Sequence, residues 1–170
     1  MLQKDLTANF ILININTVLE TPHIVVAAAI ATKTGNPYLA LTLALFSHFV
    51  LDEIPHWNPH LTTKEGGVRK IIPQNMKIII SDSTLALIAG SVIAISMLPN
   101  INKMILVLCC CLMAALPDLL EAPYIFLNYK SKFMKKWMLF QKSHQSNTNI
   151  VWGLATQMIT LFASFWWIAH

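Results

Sequence analysis

Met76-Lys-Ile-Ile-Ile-Ser-Asp-Ser-Thr-Leu-Ala-Leu-Ile-Ala-Gly-Ser-Val-Ile-Ala-Ile-Ser-Met-Leu98 carries one lysine and one aspartate in an otherwise uncharged, mostly apolar run. Pro99-Asn100 breaks it, and a second apolar run begins at once, from Ile101 to about Tyr129. A membrane span needs about 20 predominantly apolar residues, and both runs reach that length. The short Pro99–Lys103 turn makes them a hairpin. A third run, Asn149–Ala169, is also long enough, and Pro37–Ile54 is near the limit. Pro22–Thr32 is about half a span. A helix that short is tolerated at membrane depth only where protein covers it, so it is expected as a re-entrant or buried half-helix packed on Pro37–Ile54.

The composition agrees. Of 170 residues, 55% are apolar and only 12% are charged, with a mean hydropathy of +0.56. Disordered chains show the opposite balance. The net charge of +4 is too small and too scattered for nucleic acid, which selects a dense basic patch. The three cysteines, Cys109, Cys110 and Cys111, are adjacent, which excludes a disulfide framework and any CxxC metal motif. The fold class expected is all-α: an integral membrane bundle of four to five helices over residues 21–170. An extension over residues 1–20 precedes it and lacks the flanks of a signal peptide.

Basic residues cluster in two connections. The Trp57–Lys77 connection carries Lys64, Arg69, Lys70 and Lys77 against Glu65 alone, and the Lys130–Lys142 connection carries Lys130, Lys132, Lys135, Lys136 and Lys142 with no acid. The opposite connections carry only Lys33 and Lys103. Basic loops stay cytoplasmic, so both rich connections face the cytoplasm of an inner membrane, and Trp166-Trp167 lies at the far interface.

On this map His23, His48, Asp52, His56, Asp82, Asp118, Glu121 and His144 all fall in the cytoplasmic half. Ionisable groups at membrane depth cost roughly 2.5–3.5 kcal/mol each and need partners. The sharpest motif is His48-Phe-Val-Leu-Asp52-Glu-Ile-Pro55-His56. Spacing of four puts His48 and Asp52 on one helical face, a pair suited to a divalent ion. Pro55 ends the helix, and His56 can then turn back to the same place. A simple helix-stabilising pair is the plainer alternative. Leu116-Pro117-Asp118-Leu-Leu-Glu121 reads either as a helix start after a proline break or as part of the same site. Asp82 either caps the third helix or lies within it. The Pro22–Ile54 and Met76–Tyr129 hairpins faintly echo each other, each with an ionisable residue near its start and an acid before a proline near its end.

Thr21-Pro22-His23-Ile-Val-Val-Ala-Ala-Ala-Ile, Ser47-His48-Phe-Val-Leu-Asp52-Glu-Ile-Pro55-His56-Trp57 and Leu116-Pro117-Asp118-Leu-Leu together resemble small bacterial membrane-bound metal-dependent hydrolases. The His-x3-Asp element is more distantly similar to a ligand pair of the zinc-dependent phospholipase C group. The resemblance implies His23, His48, Asp52, Asp118 and His144 as metal ligands, with His56 added from the motif above and Asp82 as general base. It implies one or two divalent ions, most simply zinc, and hydrolysis of a phosphoester. The basic connections would gather an anionic lipid or lipid-linked phosphate at the cytoplasmic face. A small transporter or ion-conducting protein is the alternative, since His/Asp relays also serve such paths. A scaffold whose acids only cap helices is the third.

Overall fold

The computed structural model describes residues 19–65, 68–127, 129 and 131–170. The extension, through residue 18, and Lys130 therefore lie outside the described residues. Among the described residues six helices form the framework: α1 (Glu20–Lys33), α2 (Pro37–Glu53), α3 (Pro73–Ser96), α4 (Ile101–Phe126), α5 (Lys132–His144) and α6 (Ile150–Ala169). A small antiparallel hairpin, β1 (Thr62–Glu65) and β2 (Val68–Ile71), pairs Thr62 with Ile71 and Glu65 with Val68. The four to five helices expected over residues 21–170 stand against six among the described residues. The added one is α5, built from a stretch whose lysines read as a connection. Its helix is amphipathic, with Met138 and Gln141 buried while Lys132, Phe133 and Lys136 face outward.

Three helices, α3, α4 and α6, are long and apolar enough to cross a membrane, and no more than 28% of the residues in their apolar stretches are buried. Large side chains such as Leu87, Trp152 and Phe162 point outward. The interior is instead rich in small residues, with several polar groups and fewer large apolar ones among them. This inverted arrangement suits a chain whose surroundings are hydrocarbon, where small residues let helices approach closely. We therefore read the chain as a membrane protein.

The 14-residue α1 is the centre of the bundle, packed on α2, α3, α4 and α6 rather than on α2 alone. At 1.5 Å per residue it is about 21 Å long, against about 30 Å of bilayer hydrocarbon. It is buried from Thr21 to Val25 and from Ala27 to Ala31, so neighbours cover nearly its whole circumference. Ala27, Ala28 and Ala31 pack with Ala40, Ala44, Ala94, Cys110 and Ala114 of its neighbours. Gly90 of α3 belongs to the same seam. A Cβ there would stand 3.0 Å from Ile24 Cγ2 and 3.3 Å from Cys111 Sγ.

Both ends of α1 are held by the α3–α4 hairpin. Leu19, at the N-cap position, supplies no side-chain cap. Asp82 supplies it from α3. Its Oδ2 accepts from the Glu20 and Thr21 backbone N–H groups at 2.5 and 3.3 Å, and its Oδ1 accepts from Thr21 Oγ1 at 2.6 Å. A carboxylate is favoured at the positive end of a helix. At the other end, Lys103 Nζ donates to the Thr34 carbonyl at 3.1 Å. Asp82 therefore caps the first helix, not the third. Asp82→Ala should lower the stability of the detergent-solubilised protein by about 0.5–2 kcal/mol, and Asp82→Asn, which keeps an acceptor, by much less. Thermal unfolding midpoints of the two variants check this.

Candidate metal centre

His48 and Asp52 lie one turn apart on α2, and α1 packs against that face. The first turn of α1 brings in His23. The ligand atoms of His23, His48 and Asp52 lie within 4.8 Å of one another, and all three residues are buried. His23 Nε2 is 3.6 Å from Asp52 Oδ1, and His48 Nε2 is 3.4 Å from Asp52 Oδ2. The two imidazole rings are 4.6 Å apart.

These distances decide between a hydrogen-bonded pair and a cation site. An N–H···O bond spans about 2.7–3.2 Å, so neither imidazole is bonded to the carboxylate. Asp52 is 0% exposed, and neither of its oxygens has a hydrogen-bond partner at normal geometry among the described residues, although the Gln145 side chain lies close enough to favour the charged carboxylate. A carboxylate taken out of water without partners costs several kcal/mol. Two ligands each about 2.1 Å from a tetrahedral ion sit about 3.4 Å apart, close to the two separations seen. The donor set therefore fits a metal ion, and His23, His48 and Asp52 form a buried group able to hold one.

Asp118 borders this group. Its Oδ1 is 3.8 Å from His48 Nε2 and accepts from Gln141 Nε2 at 3.0 Å, while its Oδ2 is buried without a partner among the described residues. The helix does not restart there. Pro117 and Pro123 both lie inside α4, which runs unbroken from Ile101 to Phe126, so Asp118 is not a helix cap. Gln141 was not among the residues expected from sequence. It is buried on α5 and also stands 3.5 Å from His48 Nε2. The signal for it is helical spacing: Met134, Met138 and Gln141 share one face of a basic segment. Trp137 anchors that helix by donating from Nε1 to the Pro117 carbonyl at 3.1 Å.

His56 lies beside the group. Its Nε2 is 3.9 Å from Asp52 Oδ1 but accepts from Asn58 Nδ2 at 2.9 Å, and its Nδ1 donates to the Ile54 carbonyl at 2.7 Å. Burial pushes this imidazole below its ordinary pKa, against smaller raising effects from the Ile54 carbonyl and Asp118. The neutral ring thus has both nitrogens engaged. His144 ends α5, with its Nδ1 3.0 Å from the Phe140 carbonyl and its ring 4.6 Å from the Phe140 ring. It is not one of the three residues that meet. Asp82, read from sequence as a general base, has its carboxylate on the α1 N-terminus. Its conformation serves the helix that carries His23.

Residues 146–148, just past His144, matter more than His144 itself. Ser146 N–H donates to the Asp52 carbonyl at 2.8 Å, His56 N–H to the Ser146 carbonyl at 3.0 Å, and Thr148 N–H to the His56 carbonyl at 3.0 Å. Asn147 Oδ1 accepts from Asn58 at 3.1 Å. The segment before α6 is thereby stitched to the end of α2. Helix α6 closes on the same loop at Gly153, where a Cβ would lie 2.3 Å from the Trp57 nitrogen. Backbone cannot yield as a flexible side chain can. Gly153→Ala should cost about 1–3 kcal/mol, the usual range for overpacking, and should displace the His56 loop. Thermal unfolding in detergent and protease sensitivity around residues 54–60 would report the two effects.

No family model matches the chain, and neither a curated protein nor a solved structure matches it.

Proposed function

We propose that the chain is a membrane-embedded, metal-dependent hydrolase of a phosphoester, with a lipid or lipid-linked substrate reached at the cytoplasmic face of an inner membrane. The observation that carries this reading is Asp52: a fully buried carboxylate, without a hydrogen bond at normal geometry among the described residues, flanked by two imidazoles at 3.4 and 3.6 Å. Two imidazoles and a carboxylate suit zinc, and three protein ligands with a position left open are the pattern of catalytic rather than structural sites. The same donors also suit ferrous iron, so elemental analysis must read both. A bound divalent ion supplies Lewis acidity, which stabilises the negative charge that develops on an attacked phosphoryl group. The motif resemblance to metal-dependent hydrolases supports the same choice.

The chain's own residues would divide the remaining work. His23, His48 and Asp52 hold the ion. Gln141 fixes Asp118 Oδ1 by its hydrogen bond, and Asp118, which also lines the neighbouring cavity, would serve as general base. General bases of this kind contribute typically 10²–10⁴-fold. A cavity of about 140 Å³, lined by Asp118, Glu20, Glu121 and Gln145, gives access beside the metal group. The acids of the described helices gather at this end, while the other end has Lys33, Lys103 and His170. One-sided placement favours a reaction over a transport path, which would need polar groups at both faces.

Protein purified without a polyhistidine tag should contain about one zinc or iron per chain. His48→Ala and Asp52→Ala should each lower that to trace levels, and His144→Ala should leave it unchanged. Inductively coupled plasma mass spectrometry measures all three, and equal trace levels in every sample would remove the metal reading. Hydrolysis of a phosphatidic acid or undecaprenyl-type phosphoester panel should stop on chelation and return with added metal. Asp118→Asn should retain the metal yet lower kcat by about 10²-fold or more.

A further inference from the structure

A second cavity adjoins the acidic one. It has about 340 Å³ and runs between α3 and α4 over α1, lined chiefly by Ile24, Ala86, Gly90, Leu108, Cys111 and Ala115. Glu20, Ser83 and Leu119 line both cavities, so the two lie side by side. One end is therefore polar and lies beside Asp118, and the rest is apolar and runs along two helices long enough to cross a membrane. We propose that this groove seats one hydrocarbon chain of a membrane phospholipid, whose headgroup end lies in the acidic cavity.

Three features favour that occupant. The floor is firm, because Gly90 packs so tightly on Ile24 and Cys111 that even a methyl group there would crowd both. The groove is thus a built depression and not a loose seam. Its rim is made of outward-facing leucines, with Leu87 73% and Leu112 58% exposed, on a face that contacts hydrocarbon in a bilayer. The neighbouring acidic cavity then lies where the polar part of the same molecule would sit, next to Asp118.

The chain-binding groove stands on its own cavity. Only the fate of the headgroup rests on the hydrolase reading. The test is native mass spectrometry of the full chain in detergent, titrated with dioleoyl phosphatidylethanolamine. Loosely held boundary lipid is lost under these conditions, and a groove lipid persists as a one-to-one adduct. Ser91→Trp places an indole in the groove from an exposed position of α3, where folding tolerates it. It should weaken the adduct by about tenfold or more, while leaving bound metal and the thermal midpoint unchanged. Phe162→Trp, on the outward face of α6, should leave the adduct intact and controls for surface change. The proposal is overturned if wild type gives no one-to-one adduct, if Ser91→Trp binds as well as wild type, or if a protein dimer forms in place of the adduct. An adduct that persists in metal-free His48→Ala protein upholds the groove by itself. Loss of the groove with metal retained would leave the metal reading standing.

Discussion

A buried carboxylate with little hydrogen bonding among the described residues is a demanding thing to place in a protein, more so among apolar helices. Asp52 makes that demand here, and much of the fold can be understood as the arrangement around it. Helix α2 carries the carboxylate and one imidazole on a single face. The short central helix adds the second imidazole, α4 brings a further acid alongside, and α5 pins that acid with an amide. The backbone of residues 146–148 then fixes the loop where α2 ends. These elements come from distant parts of the chain, and a shared cation is the simplest partner that serves them together.

The hydropathy of the sequence made the spanning helices legible, because length and apolarity alone decide whether a segment can cross hydrocarbon. The half-length of Pro22–Thr32 likewise pointed to a covered helix. His48 and Asp52 could be paired from their spacing, since a helix converts four residues into one face. The limits were just as physical. Helix α5 was hidden because its lysines lower its average apolarity, although its amphipathic face is plain once the helix is drawn. Pro117 suggested a break that the structure does not contain. Packing of α5 against α4 holds the segment where a proline alone would argue for an end. Asp82 was read against its own helix, whereas its partner Thr21 lies 61 residues away, and local spacing carries no information about such a contact.

His144 shows a related limit. A histidine in a polar stretch draws the eye as a ligand, but the neighbouring backbone N–H and carbonyl groups do the connecting. Main-chain groups are present at almost every position, so no residue type announces them. Gly153 is the exception: its missing side chain marks where α6 meets the backbone of the His56 loop, a contact that any larger residue would prevent.

The clamp on α1 has a consequence for how the molecule is put together. An acid meets the positive pole of that helix and a lysine meets its negative pole, and both belong to a hairpin synthesised later. Too short to bridge the bilayer alone, α1 gains the partners at its two poles only once residues 82 and 103 have been made, so the innermost element is finished from outside its own sequence neighbourhood.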